Sequence, residues 1–209
     1  MTHVLYVHGL WMPGDESLLL RRRLAQEFGL TLQALRYSAA YSTMEAITAR
    51  LDQMVRELKC AELHLVGHSL GGLVIHRFLE RFPEQPPGRV VFLGTPCVAS
   101  RAAQQAARFA PIAHLMGQSV GEELLQVHER RWTHARPLGV VAGTQPLGVG
   151  QLLADFGEDN DGTVAVSETR MPGMSDHITL PVSHLGMLIS ARVARETGLF
   201  LTQGHFSLR

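Results

Sequence analysis

The sequence predicts an α/β protein, a mostly parallel sheet covered by helices on both faces. Three observations carry that expectation. Short apolar runs of strand length alternate with helical patterns along nearly all of the 209 residues. The runs are apolar throughout, as in "HVLYV" and "RVVFL", which is how strands buried on two faces read. Hydrophobic residues make up 45% and charged residues 18%, a balance that gives a chain of this length one sizeable core.

The elements follow in order. "HVLYVHG" (3–9) reads as a buried strand and "DESLLLRRRLAQEFG" (15–29) as a helix, with Asp15 or Ser17 as its cap and Gly29 as its end. "LTLQALRY" (30–37) is strand-like. "STMEAITARLDQMVREL" (42–58) opens on a capping box, Ser42 with Glu45 three residues on, and continues with apolar residues at helical spacing. "ELHLVGH" (62–68) is a strand, "LGGLVIHRFLERF" (70–82) a helix and "GRVVFLG" (88–94) a strand. Residues 97 to about 135 form a helical, Ala- and Gln-rich stretch. "PLGVVAG" (137–143) and "DHITLP" (176–181) are the last strands, and "HLGMLISARVARETGLF" (184–200) is the last helix. No repeat, low-complexity tract or linker interrupts the pattern, so residues 1–209 read as one domain.

Nineteen basic residues balance nineteen acidic ones, which gives no electrostatic case for nucleic acid or an anionic membrane. Cys60 and Cys97 form no metal or redox spacing and read as buried thiols of a reducing compartment. "MTHVLYVHG" lacks the build of a signal peptide, and no run approaches 18 apolar residues, so the expected setting is cytoplasmic with no transmembrane segment.

"LVGHSLGG" (65–72) carries the chemistry. Strand, then Gly-His-Ser-Leu-Gly, then helix is the context in which G-x-S-x-G forms a nucleophile elbow. Side chains at 67 and 71 would collide with the neighbouring strand and helix, so glycine flanks the serine. The turn lifts Ser69 Oγ above the carboxyl edge of the sheet, over a helix N-terminus with free N–H groups.

A serine hydroxyl needs a base, and the base needs an acid to orient it. Of eleven histidines, His184 in "LPVSHLGML" sits in a loop at the carboxyl end of a strand, on the rim of Ser69. His3, His64, His76 and His177 fall inside strands or a helix. His114, His128 and His134 lie in the helical stretch and His205 in the tail. His68 is expected to point away from the nucleophile. The acid comes from "GEDNDGTVAV" (157–166): Asp161 stands beside Gly162, which frees the turn, and the apolar "TVAV" anchors it, whereas Glu158 and Asp159 read as solvated loop charges. Two N–H donors are required for an oxyanion. Leu70, after the nucleophile, supplies one, and Leu10, after the sharp His8-Gly9 turn, the other.

Five stretches, "YVHGLW", "LVGHSLGG", "VVFLGTP", "NDGTVAV" and "VSHLGML", resemble the α/β-hydrolase superfamily in its order, from 6 to 188, and within it the small bacterial serine esterases and lipases. The resemblance implies a triad of Ser69, Asp161 and His184 and an oxyanion hole at Leu10 and Leu70; with no phosphate loop, dinucleotide fingerprint or metal cluster in the sequence, no cofactor or metal is expected. The resemblance also implies a minimal, mostly parallel sheet of about six strands without the family's leading antiparallel hairpin, and a short helical cap over about 97–135. "CVASRAAQ" after Thr95-Pro96 departs from the His and Gly-Ser pair of many bacterial lipases, which points away from triacylglycerol. The expected substrate is a small, uncharged carboxylic ester of short to medium acyl chain, with Trp11 and Met12 lining the acyl site. A thioesterase or acyltransferase with the same triad, and a noncatalytic ligand-binding protein of this fold, are the alternatives. Arg21, Arg22 and Arg23 read as a solvated helix face, and the apolar residues of 97–135 as packing faces of short helices.

Overall fold

The structure is a computed structural model that describes residues 2–10, 12–38, 41–98, 101, 104, 123, 130–147 and 156–207. Its six strands are β1 (His3–Val7), β2 (Thr31–Leu35), β3 (Leu63–His68), β4 (Val90–Leu93), β5 (Leu138–Gly143) and β6 (Asp176–Leu180). They form one sheet in the order β2-β1-β3-β4-β5-β6, every neighbouring pair parallel. The four helices among the described residues are α1 (Leu18–Phe28), α2 (Met44–Leu58), α3 (Leu70–Arg81) and α4 (Ala191–Gln203).

Alternation along the strands divides the core in two. Leu5, Val7, Leu65, Val90, Phe92 and Val140 pack with α2 and α3. Val4, Tyr6, Val66, Val91, Leu93 and Val141 pack with α1 and α4 on the other face. The four inner strands, β1, β3, β4 and β5, are therefore buried on both sides and carry no polar alternation, whereas the edge strands β2 and β6 expose Thr31, Gln33 and Thr179. Trp132 is buried in the first cluster with its ring edge-on to Phe92, so this residue of the 97–135 stretch, like Cys97 at its start, is core packing. Most of the expected cap falls outside the described residues.

Three helix boundaries differ from expectation. A 3₁₀ turn, Asp15–Ser17, precedes α1; Ser17 stands at the N-cap position as expected, but its Oγ donates back to Gly14 O at 2.7 Å and Asp15 pairs with Arg36, so neither side chain caps the helix. Gly29 ends α1 as expected, with φ 65°. Helix α2 is capped by Thr43, whose Oγ1 accepts the Ala46 N–H at 3.2 Å, one residue beyond the expected Ser42. The expected helix 184–200 is two elements, a 3₁₀ turn at Gly186–Leu188 and then α4, because Ser190 Oγ accepts the Val193 N–H and starts a new helix there. That break leaves His184 on a loop above β6.

Candidate active site

In a parallel sheet every strand delivers its chain to the same edge, so the loops after β1, β3, β5 and β6 meet on one rim. Ser69 stands on this rim with φ 54° and ψ −125°, a conformation that costs of order 1–3 kcal/mol in a non-glycine residue. The surroundings enforce it. Ser69 N–H donates to Leu93 O at 2.9 Å, and Ser69 O accepts both the Gly72 N–H at 3.1 Å and Thr95 Oγ1–H at 2.9 Å. A Cβ at Gly67 would stand 2.5 Å from Gly72 N, and one at Gly71 only 2.0 Å from Val7 O. The two glycines thus let α3 leave β3 at once, close against β1. Ser69 itself is partly exposed, and Leu70 opens α3.

Asp161 and His184 meet on the same rim. Asp161 Oδ2 accepts from His184 Nδ1 at 2.7 Å, and both side chains are buried. The other carboxylate oxygen, Oδ1, accepts the N–H groups of Thr163 and Val164 at 2.9 and 2.7 Å. The backbones are stitched as well, His184 N–H to Asp161 O at 2.8 Å. The carboxylate therefore has one orientation, and His184 presents Nε2 as its remaining nitrogen. A Cβ on Gly94, at the end of β4, would come within 2.9 Å of Asp161 Oδ2 and 3.0 Å of His184 Nδ1, so the pair lies directly over the strand beside the elbow.

The turn after β1 completes the rim. A Cβ at Gly9 would be 3.0 Å from Ser69 Cβ, which puts the turn carrying Leu10 against the serine. His8 braces it: the ring stacks on Tyr37 at 4.0 Å, Nδ1–H donates to Gly9 O at 2.8 Å, and Tyr37 Oη donates to His8 O at 2.7 Å. Burial lowers the His8 pKa and keeps the ring neutral. Met12 is partly buried against the cluster beneath α1 and α4. Trp11 lies outside the described residues.

A scan of protein families matches the model described as the alpha/beta hydrolase family over residues 4–196. The chain belongs to the alpha/beta hydrolase family. No curated protein matches it significantly. Among solved structures, this alpha/beta hydrolase is similar to the mature lipase BlEst2 of Bacillus licheniformis, at TM-score 0.74 and 21% identity over 95% of this chain and 90% of that one. It is also similar to the metagenomic carboxyl esterase MGS0156, at TM-score 0.66 and 16% identity over 96% and 74%. The RedJ thioesterase of Streptomyces coelicolor follows at TM-score 0.59 and 13% identity over 94% and 85%. These identities speak for a shared hydrolase fold.

Three features of this alpha/beta hydrolase's site escaped the sequence reading. His68 does not point away from the site: its fully buried ring packs on that of His184, centroids 4.7 Å apart, and its Nε2 lies 3.0 Å from His184 O. Glu158 is exposed, as expected, but it is also bonded to Arg101 and Ser167, and Arg101 holds its carboxyl below the usual range. Buried Glu168 anchors the acid loop, with Oε1 accepting Arg101 Nε–H at 2.9 Å and Oε2 the Ala165 N–H at 3.0 Å. Asp159 is exposed, as expected. The arginine run is only partly solvated, because Arg23 donates to Ile189 O across the α1–α4 seam. Among the described residues no cluster of His, Cys, Asp and Glu is arranged to hold a metal, and no helix is long and apolar enough to cross a membrane.

Proposed function

We propose that this hydrolase is a serine esterase acting on carboxylic esters of short to medium acyl chain. The observation that carries the reading is the buried Asp161–His184 hydrogen bond of 2.7 Å on the rim that also holds Ser69 in its strained turn. Neutral His184 takes the Ser69 proton at Nε2 as Oγ attacks the ester carbonyl. Asp161 keeps the imidazole in the Nδ1–H tautomer and balances its charge once it is protonated. The oxyanion is met by the N–H groups of Leu70, at the start of α3, and Leu10. His184 then returns its proton to the departing alcohol. Water, activated by the same nitrogen, cleaves the acyl-enzyme and restores Ser69. Trp11 and Met12, which follow Leu10 in the sequence, are proposed to border the acyl group. No step calls for a cofactor. The two free thiols fit a cytoplasmic setting.

Intact-mass spectrometry after a fluorophosphonate probe tests the nucleophile: one adduct on Ser69 is expected, and an adduct elsewhere refutes the reading. Ser69→Ala should lose on the order of 10⁵-fold or more in turnover while remaining folded. A panel of p-nitrophenyl esters and acyl-CoA thioesters of graded length identifies the substrate class. Preference for the thioesters would make the chain a thioesterase, and absence of both labelling and turnover a binding protein.

A further inference from the structure

We infer that His68 is a positioning residue for His184, acting from the nucleophile's own turn as a hydrogen-bond donor. The inference rests on the proposed serine chemistry and adds a fourth side chain to it.

His68 is the residue before Ser69, fully buried at the end of β3. A carbonyl oxygen only accepts, so the 3.0 Å contact between His68 Nε2 and His184 O places the proton on Nε2. Nδ1 is then a bare acceptor. It is buried without a hydrogen-bond partner, on the side of the ring facing the Gly9 turn, where a Cβ at Gly9 would approach it to 3.4 Å. A neutral ring with one satisfied and one orphaned nitrogen is an expensive way to fill space. A leucine would cost less, so the donor is what the position supplies. Protonation is strongly opposed, since burial, and then the neighbouring His184, push the His68 pKa down to about 3. At working pH the ring therefore donates one hydrogen bond and carries no charge. It does not compete with the positive charge that His184 acquires in each turnover.

The geometry gives His184 two holds of different origin. Asp161 grips Nδ1 from the loop that follows β5, and His68 grips the backbone carbonyl from the elbow and packs against the ring at 46° between planes. The second hold ties the base to the turn that carries the nucleophile, across 116 residues of chain. It fixes how far Nε2 stands from Ser69 Oγ, a distance on which proton transfer depends steeply.

Three substitutions separate donation from packing. His68→Gln places an amide N–H where Nε2–H stands. His68→Asn places it at the Nδ1 position, too short to reach His184 O. His68→Leu keeps the volume and removes the donor. With p-nitrophenyl butyrate, Gln should stay within about 3-fold of wild type in kcat, while Asn and Leu fall about 10- to 100-fold with KM within about 2-fold. Fluorophosphonate labelling of Ser69, which needs the base but no deacylation, should slow by the same factors. Wild-type kcat in His68→Leu would overturn the inference, and so would a loss in His68→Gln as large as in His68→Leu. If the Leu variant does not fold, the Gln and Asn pair decides by the same criterion. Failure of the serine reading looks different: Ser69→Ala would then retain turnover and the probe would not mark Ser69.

Discussion

Acidification should unfold this protein early, and the buried histidines set the scale. Burial is the largest cause of a lowered pKa at His8, His64, His68, His76, His134 and His177. Two of the six are pushed far, His68 to about 3 and His177 to about 4. In the unfolded chain each titrates near about 6.5, so unfolding takes up protons and stability falls as pH drops below that value. At about pH 5.5 the unfolded chain holds nearly two more protons on these two residues than the folded one. The slope is then about 2 kcal/mol per pH unit, or about 4 kcal/mol between pH 6.5 and 4.5 from this pair. His177 is partly open to solvent, so its share is the smaller one in practice. Domains have only about 5–15 kcal/mol in total, so the loss is a large fraction. Urea titrations followed by tryptophan fluorescence at pH 7.5, 6.5, 5.5 and 4.5 measure it. His177→Gln, which keeps a polar partner for Thr169 Oγ1, should flatten the slope by up to one proton. A free energy of unfolding that is level or rises from pH 6.5 to 4.5 refutes the reasoning, as does a His68 ring seen by NMR to titrate near pH 6.

Two further outcomes follow from the elbow and the acid loop. Gly71→Ala drives a Cβ to 2.0 Å from Val7 O, backbone against side chain with nothing flexible to yield, and should cost about 3 kcal/mol or more or prevent folding; Gly29→Ala, with open space but φ 65°, should cost about 1 kcal/mol by the same denaturant assay. Asp161→Asn keeps the shape but loses the charge that balances His184, and kcat should fall by up to about 10⁴-fold, whereas Asp159→Asn, at an exposed position, should stay within a few fold; exchanged outcomes would reassign the acid.

The parts of this design that were legible in the sequence are those governed by local pattern. Apolar runs such as "VVFL" announce strands buried on both faces, and the alternation with helices puts every strand's carboxyl end on one rim. That topology is enough to bring the loops of Ser69, Asp161 and His184 to one edge. What escaped depends on partners far along the chain. In the sequence His68 is only the residue between Gly67 and Ser69, and it is the packing of the 184 loop over it that brings its ring to His184 O. Glu158 becomes an anchored group because Arg101, 57 residues earlier, lies over it. The helix starts were missed for a more local reason. Ser42 and Thr43 are adjacent hydroxyls, and Ser190 lies inside a run of apolar spacing that hides its capping role until the backbone is seen to break there.

The strand order has a consequence for synthesis. The chain is made from its N-terminus, and four strands together with the Ser69 turn are complete by residue 93. The proposed acid and base arrive later, one in the loop beyond β5 and the other in the loop beyond β6. A nascent chain that has not reached residue 184 therefore holds its serine on a finished elbow without the histidine proposed to activate it. Over the same interval β4 is an unpaired edge whose four residues, Val90 to Leu93, are all apolar and wholly buried in the finished protein. Such an edge is a template for a second chain. That edge stays open until β5 is laid beside it, after the 97–135 stretch has been made.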